Sequence, residues 1–435
     1  MTGPSAAARD PGRWPRSRTG PLAGIRIADF CWLGVGSCAT RLLADFGAQV
    51  VKIEDRERLD TIRRLPFYKG ETRTYGEEES NPDPDRGGLH NNYSRNKLGV
   101  TINMRDERGR ALALALISKS SVVTENFAPG VMEKWGLTYE TLKERVPDVI
   151  YGRMSGFGHD GPHANYRSYG PVVQAVCGLS AMAGLPGERP SGWGFSYMDN
   201  MAAMYASAAL LLAILHRNRT GDGSEVDVAA VDVGVSFLGP VLLDISVNGR
   251  QFPDSKFPPG NRIENPRAAP HGVYRSKGSD RWVAIAVTND EQWKALTAAL
   301  GAPDWTLDPR FASSAGRYAA QDELDLHVTR WTETRDPFEA MHVLQAAGVP
   351  ASAVQNPHDL VENDPQLAHR RTFFEMDHPV IGPALFEGHP ATMSVTEPDH
   401  WRSAPLLGED NRFVFQELLG LGDDEIAELA ASGVI

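Results

Sequence analysis

Cysteine is scarce. Cys31, Cys38 and Cys177 are the only three in 435 residues, an odd number and too few for a disulfide framework, which fits a reducing compartment. No CxxC pair or Cys/His cluster has zinc-ligand spacing, so no metal is expected. Long apolar runs are missing too. The longest candidate, 201–215, is flanked by Asp199 and by His216 and Arg217 and is too short to cross a bilayer. Residues 1–20 are rich in Pro, Arg, Ser and Gly and hold no apolar stretch of the secretory kind, so a disordered tail is expected there. Basic charge is in deficit: 44 Lys and Arg stand against 56 Asp and Glu, a formal net charge of −12. A protein that coats a duplex or lies on an anionic membrane needs the opposite balance. The expectation is a soluble, cytoplasmic protein that binds neither nucleic acid nor membrane. A small anionic ligand held by a few local cations stays open.

Alternation over 24–30 predicts a strand, Gly34-Val35-Gly36 a turn, 37–46 a helix and 49–54 a second strand. That is a βαβ unit, and its crossover makes the two strands parallel. Residues 56–93 are polar, include the acidic run 77–79, and read as a long excursion, a lid or a partner-binding loop. Further strands are expected at 99–103, 121–124, 149–154 and 224–229, and helices at 107–118, 200–217 and 230–247. The Pro/Asn/Gly-rich stretch 252–267 reads as a linker into a second domain. That domain opens with strands at 272–274 and 282–287 and continues with helices near 289–300, 321–333 and 335–347.

Gly34-Val35-Gly36-Ser37-Cys38-Ala39 follows a strand, opens a helix and has the form G-x-G-x-x-A, with Glu54 twenty residues after Gly34. Glycines there let a backbone approach a pyrophosphate, and the acid would hold a ribose, as in nicotinamide-dinucleotide sites. Any doubly wound βαβ unit needs a small-residue turn at this place, so another nucleotide-like ligand fits as well. Asp199 stands at the start of the strongest helix. An aspartate there is ordinarily a cap; it is also where a carboxylate nucleophile would be kept ionised. His159-Asp160, in a Gly-rich loop, reads as a surface turn rather than a catalytic pair. His271 lines a site or satisfies a turn. Lys97, Arg105, Lys134 and Arg167 are scattered cations that together would neutralise the phosphates of a long anionic cofactor.

Several segments then fall into one pattern: 21–30, 43–54, Arg95-Asn96-Lys97, Thr124 to Gly130, Arg217 to Gly223, and Ala404 to Glu409. In this order and spacing the chain resembles the family III CoA-transferases, the group of formyl-CoA transferase and carnitine CoA-transferase that also contains alpha-methylacyl-CoA racemases. The resemblance covers roughly residues 21–435. It implies an α/β fold: an open, doubly wound, Rossmann-like large domain at 21–250, to which 355–435 returns, plus a smaller α/β second domain at 260–350. It also implies an interlocked homodimer, or pairing with a homologous second subunit, and coenzyme A as co-substrate without metal. The partners implied are an acyl-CoA donor and a carboxylic acid acceptor, with CoA passing through an aspartyl-CoA thioester.

The resemblance places the nucleophile at Asp199. It puts the CoA contacts on Gly34, Val35, Ile102, Asn103, Met104, Arg105, Asn126, Phe127, Ala128 and Lys134, and on 166–169 with Arg167 and Tyr169. An arginine that follows the second strand in formyl-CoA transferases falls on Asp55 here, with Arg56 or Arg58 as substitutes. The racemase histidine falls on Tyr169, a poor proton shuttle at neutral pH, which disfavours the alternative of an acyl-CoA racemase or epimerase. The formyl-CoA transferase glutamate falls on Gly170 and its glutamine on Gly34. With Trp32 added, the pocket is expected to take a bulkier acid than oxalate or formate. A glycine-rich turn at 259–261 is expected to help stabilise the oxyanions. A CoA-binding partner subunit without chemistry of its own is the remaining alternative.

Overall fold

The computed structural model describes residues 20–64, 83–252, 259–264 and 266–435. The expected tail through residue 19, the acidic centre of the 56–93 excursion (65–82) and part of the linker (253–258) lie outside them. The chain divides into two compact units. One takes the chain up to Leu179, Trp193–Leu243 and Arg370–Ile435; the other takes Ser180–Gly192 and Asp244–His369. The expected boundaries at 250 and 355 thus fall at 244 and 370.

The first unit is built on six strands: β1 (Arg26–Asp29), β2 (Gln49–Glu54), β3 (Leu98–Thr101), β4 (Val122–Glu125), β5 (Ile150–Ser155) and β6 (Ser224–Ala229). Their order is β3-β2-β1-β4-β5-β6, with every pair parallel. This is a doubly wound α/β sheet. Helices cover both faces, so the central strands are buried throughout, and even Lys52 and Glu54 of β2 are hidden. Such charges persist inside only with partners, and each has one, as described below.

Helix α1 (Val35–Asp45) follows β1. Helix α2 (Gly170–Val176) is short and opens at Gly170-Pro171. Helix α3 (Tyr197–Thr220) is the longest, at 24 residues. It overruns the expected 200–217 and, by length and composition alone, is long and apolar enough to cross a membrane, which corrects the sequence estimate. Its apolarity has a use in the core: Met198, Ala202, Ala206, Leu210 and Ile214, spaced by four, form one buried face. Alanines on that face let α1 come close, and the Ser207 hydroxyl reaches the Ala39 carbonyl at 3.1 Å. The expected helix 230–247 is two helices, α4 (Ala230–Ser236) and α5 (Gly239–Asn248), bent by 64°. Pro240 explains the break, since its ring clashes with the carbonyl four residues earlier.

A β-hairpin absent from the sequence reading, Phe373–His378 with Gly382–Glu387, also belongs to this unit. Its Glu387 is bonded by Arg41 and by Asn92 at 2.7 Å. The second unit centres on three antiparallel strands, β7 (His271–Arg275), β8 (Trp282–Ala286) and β9 (Ala351–Ala353), with β8 in the middle. Its core joins Tyr274, Val283, Ile285, Trp293, Phe311 and Leu344.

Candidate active site

A doubly wound sheet offers its ligand crevice beyond the carboxyl ends of the strands, where the strand order reverses. Here that point lies between β1 and β4. The two loops that leave it are Phe30–Gly34 and Asn126–Gly130.

The first loop is clamped from three sides. Asn126 turns its amide onto it: Oδ1 accepts from the Trp32 N–H at 2.8 Å and Nδ2 donates to the Leu33 carbonyl at 2.8 Å. Asp60 accepts from the Leu33 N–H at 3.0 Å. Lys52, fully buried, donates to Asp60 and to the Cys31 carbonyl, both at 2.8 Å. Beneath the loop, Asp29 accepts from the Cys31 N–H, from Thr40 and Thr124, and from Lys97 at 3.1 Å. These lysine partners hold the Asp29 carboxyl below its ordinary range despite burial. Lys97, read as a cation for phosphates, is therefore spent inside the protein; it is fully buried.

The clamped loop ends at Gly34, with φ 90° and ψ −130°, a conformation that side chains disfavour. A Cβ there would lie 3.5 Å from Asp199 Cγ. Gly170, the first residue of α2, also comes close. A Cβ on it would lie 3.0 Å from Asp199 Oδ2, a tight contact, and 2.8 Å from Ser196 Cβ, closer than packed atoms come. Two bare backbones thus lie against the Asp199 carboxylate in the first turn of α3. The Ser196 hydroxyl and the Gly170 N–H nearby favour its charged form, but burial dominates and pushes its carboxyl up to about 6. Asp199 makes no side-chain cap bond of the ordinary kind, and α3 has none at its N-cap. Next to it, Asn200 Oδ1 accepts from Tyr93 at 2.9 Å.

The remaining expected contacts spread along the crevice. Val35 is buried at the start of α1. Phe127 stands edge-on to both Trp32 (centroids 5.4 Å) and Trp135 (5.6 Å), an aromatic wall beside the loop. Asn126 is committed to the clamp. Ala128 and Lys134 are exposed. Ile102 and Met104 are buried and Asn103 half-buried, while Arg105 is exposed and paired with Asp55 and Glu57. Asp55, Arg56, Thr101, Ile102 and Asn103 line a cavity of about 190 Å³ closed by Gly433–Ile435. Arg56, not Arg58, faces it. Arg167 and Tyr169 are exposed, the latter at the N-cap of α2 beside Gly170. The turn at Pro259–Asn261 lies in the second unit, where the Asn261 carbonyl accepts from His271 Nδ1 at 2.5 Å.

Two readings need correction. Glu54 does not wait for a ribose: its oxygens accept from Arg63 Nε and Nη2, each at 2.8 Å, and it is buried. The glycine turn therefore lacks the free acid that a nicotinamide site requires. His159 is no surface residue. Its ring is buried with Nε2 3.3 Å from Glu125 Oε1, and its backbone N–H donates to Asp227 at 2.8 Å. Burial and the nearby Arg153 push this imidazole down to about 4, and burial pushes Glu125 up to about 7. Glu125, which the sequence did not single out, accepts from the Phe127 N–H at 2.7 Å and so fixes the second loop.

Comparison with known proteins places this geometry. The sequence model of CoA-transferase family III matches residues 22–411. A succinyl-CoA–D-citramalate CoA-transferase of Chloroflexus aurantiacus is 30% identical over 417 residues, which cover 95% of this chain and 98% of that protein. A probable CoA-transferase of Mycobacterium tuberculosis is 30% identical over 443 residues, 98% of this chain; the chain spans 53% of that longer protein. A crystal structure of a CaiB/BaiF family protein from Brucella suis superposes with a TM-score of 0.81 at 27% identity, covering 92% of this chain and 100% of that one.

Proposed function

The chain belongs to CoA-transferase family III, and on that premise we propose that it moves coenzyme A between two carboxylic acids through a covalent intermediate on Asp199. One observation supports the assignment above all: the side-chain-free backbones of Gly34 and Gly170 both lie close against the Asp199 carboxylate, beside the loop that leaves the switch point.

The carboxylate attacks the donor thioester and expels CoA thiolate, giving a mixed anhydride. The thiolate then attacks the aspartyl carbonyl, leaving an aspartyl-CoA thioester and the free donor acid. The acceptor carboxylate repeats the exchange in reverse. Every step trades one acyl bond for another, so no ATP is consumed. A carboxylate is a weak nucleophile, and positioning and exclusion of water supply much of the rate. Partial burial of Asp199 serves both, because it raises the carboxylate's basicity and strips its water. The clamped Trp32-Leu33-Gly34 loop and the Phe127/Trp135 wall hold the thioester end, and the cavity at Arg56 and 102–103 receives the far end of CoA. Trp32 favours a bulky acid.

The partner proposed is a second copy of this chain, interlocked as in the family. Large apolar side chains stay exposed in the single chain, among them Leu212 (67%) on α3 and Leu243 (64%) and Val247 (75%) on α5. A solution mass of twice 47.5 kDa is expected. The compartment proposed is the cytoplasm, where the buried thiols of Cys31, Cys38 and Cys177 stay reduced. The test is transfer of CoA between acids by the purified chain alone. Inactivity without a homologous subunit would favour the partner-subunit reading, and loss of an alpha deuteron to solvent would favour the racemase.

A further inference from the structure

Asn200 follows Asp199 in the first turn of α3, and both ends of its amide are engaged. Nδ2 donates to the Ser196 carbonyl, four residues back, at 3.3 Å. Oδ1 accepts from the Tyr93 hydroxyl at 2.9 Å. The carbonyl fixes which way the amide faces, since turning it over would set two oxygens against each other. This brace matters because α3 opens without the usual one. Ser196 holds the N-cap position, where a serine ordinarily satisfies an N–H of the first turn through its side chain, yet it makes no such bond. Its carbonyl accepts from the Asp199 N–H at 3.2 Å and from the Asn200 amide. The peptide that starts the turn carrying Asp199 is thus held by Asn200, and Asn200 is held by Tyr93.

Tyr93 is itself fixed. It ends the short helix Gly88–Tyr93, at the close of the 56–93 excursion. The Arg41 guanidinium, from α1, lies 5.8 Å from the centre of its ring. Arg41 donates to Asn92 Oδ1 at 3.0 Å, Asn92 Nδ2 donates to Glu387 Oε2 at 2.7 Å, and Arg41 pairs with Glu387 as well. The phenol therefore stands on a frame drawn from α1, its own helix and the 373–387 hairpin.

We propose that Tyr93 is a positioning residue for the transfer reaction: acting through Asn200, it fixes the first turn of α3 and with it the aim of the Asp199 carboxylate. This rests on the assignment of Asp199 as nucleophile. Tyr93 keeps its proton throughout and takes no part in bond exchange. A weak nucleophile depends on placement, and a misplacement of about 1 Å can cost about a hundredfold in rate. The Gly34 and Gly170 backbones lie close against this carboxylate, so its aim tolerates little rotation of the helix.

The experiment measures how fast intact protein gains a CoA-sized, hydroxylamine-labile adduct, using whichever of acetyl-, succinyl- and isobutyryl-CoA labels the native protein fastest. Tyr93→Phe keeps the ring and removes only the hydroxyl. The Cys38 thiol, 3.9 Å from the same Asn200 oxygen, is too weak a donor to replace it. This variant is expected to label about tenfold more slowly at saturation while its half-saturating acyl-CoA concentration stays within about twofold. Asn200→Ala is expected to lose at least as much, and Tyr93→Phe/Asn200→Ala no more than Asn200→Ala alone, because both changes break one chain of bonds. Native-rate labelling of Tyr93→Phe would overturn the proposal and leave Asp199 standing. So would losses that multiply in the double variant, or a raised half-saturating concentration at an unchanged maximal rate. Labelling of Asp199→Ala would overturn the nucleophile assignment and the role of Tyr93 with it.

Discussion

Replacing Asp199 by asparagine should make the protein more stable, and more so at higher pH. The ordinary value for an aspartate is 3.8, and burial pushes Asp199 up to about 6. In the folded chain it therefore binds its proton about a hundredfold more tightly than in the unfolded one. At about 1.4 kcal/mol per tenfold, holding this carboxylate ionised costs about 3 kcal/mol of folding free energy at pH 8. The sign follows from the raised value. The stability is fully present below the unfolded value and is lost as pH rises through the folded one. Asparagine has nearly the same shape and does not titrate. The advantage of Asp199→Asn should be about 1 kcal/mol at pH 4.5 and about 3 kcal/mol at pH 8. Urea midpoints of both proteins at the two pH values measure it. An unchanged or lower midpoint at pH 8, or the same gain at both pH values, would refute the claim that the site keeps a charge against its surroundings for the sake of reactivity.

The other expectations are simpler. CoA transfer should rise with pH through an acid limb near 6, because the ionised carboxylate is the attacking form; a limb near 4 would remove burial from the account. Gly170→Ala forces α2 away from Ser196 and Asp199, so it should destabilise the fold by about 1–3 kcal/mol and cut transfer more than tenfold, checked by urea titration and initial rates. Asn126→Ala leaves the Trp32 N–H and the Leu33 carbonyl without partners; it should cost about 1–3 kcal/mol and raise the half-saturating acyl-CoA concentration, and normal saturation would show that the loop needs no clamp.

The first βαβ unit was legible because local signals agree there: alternation, a glycine turn, then helical spacing. The expected strand 49–54 coincides with β2, and 224–229 with β6. Strand order is set by which strands pair across long separations, as when β1 joins β4 through Ile27–Val122, and one-dimensional spacing does not encode that. The same limit hid the partners of buried charges. Glu54 has a suitable spacing for a ribose, yet Arg63 nine residues on takes both its oxygens. Lys97 looked like a free cation until Asp29, 68 residues away, received it. Asn126 was placed at the site by resemblance, but its clamp on 32–33 depends on two loops meeting at the switch point. Asp199 could be located from its place before the long helix, whereas the nearness of Gly34 and Gly170 required three separate segments to converge.

The most direct test of the central claim weighs the intact protein after incubation with acyl-CoA thioesters. The account predicts a mass increase corresponding to CoA, removed by hydroxylamine and absent from Asp199→Ala. An Asp199→Ala protein that gains the same mass, or that transfers CoA at the native rate, would contradict it.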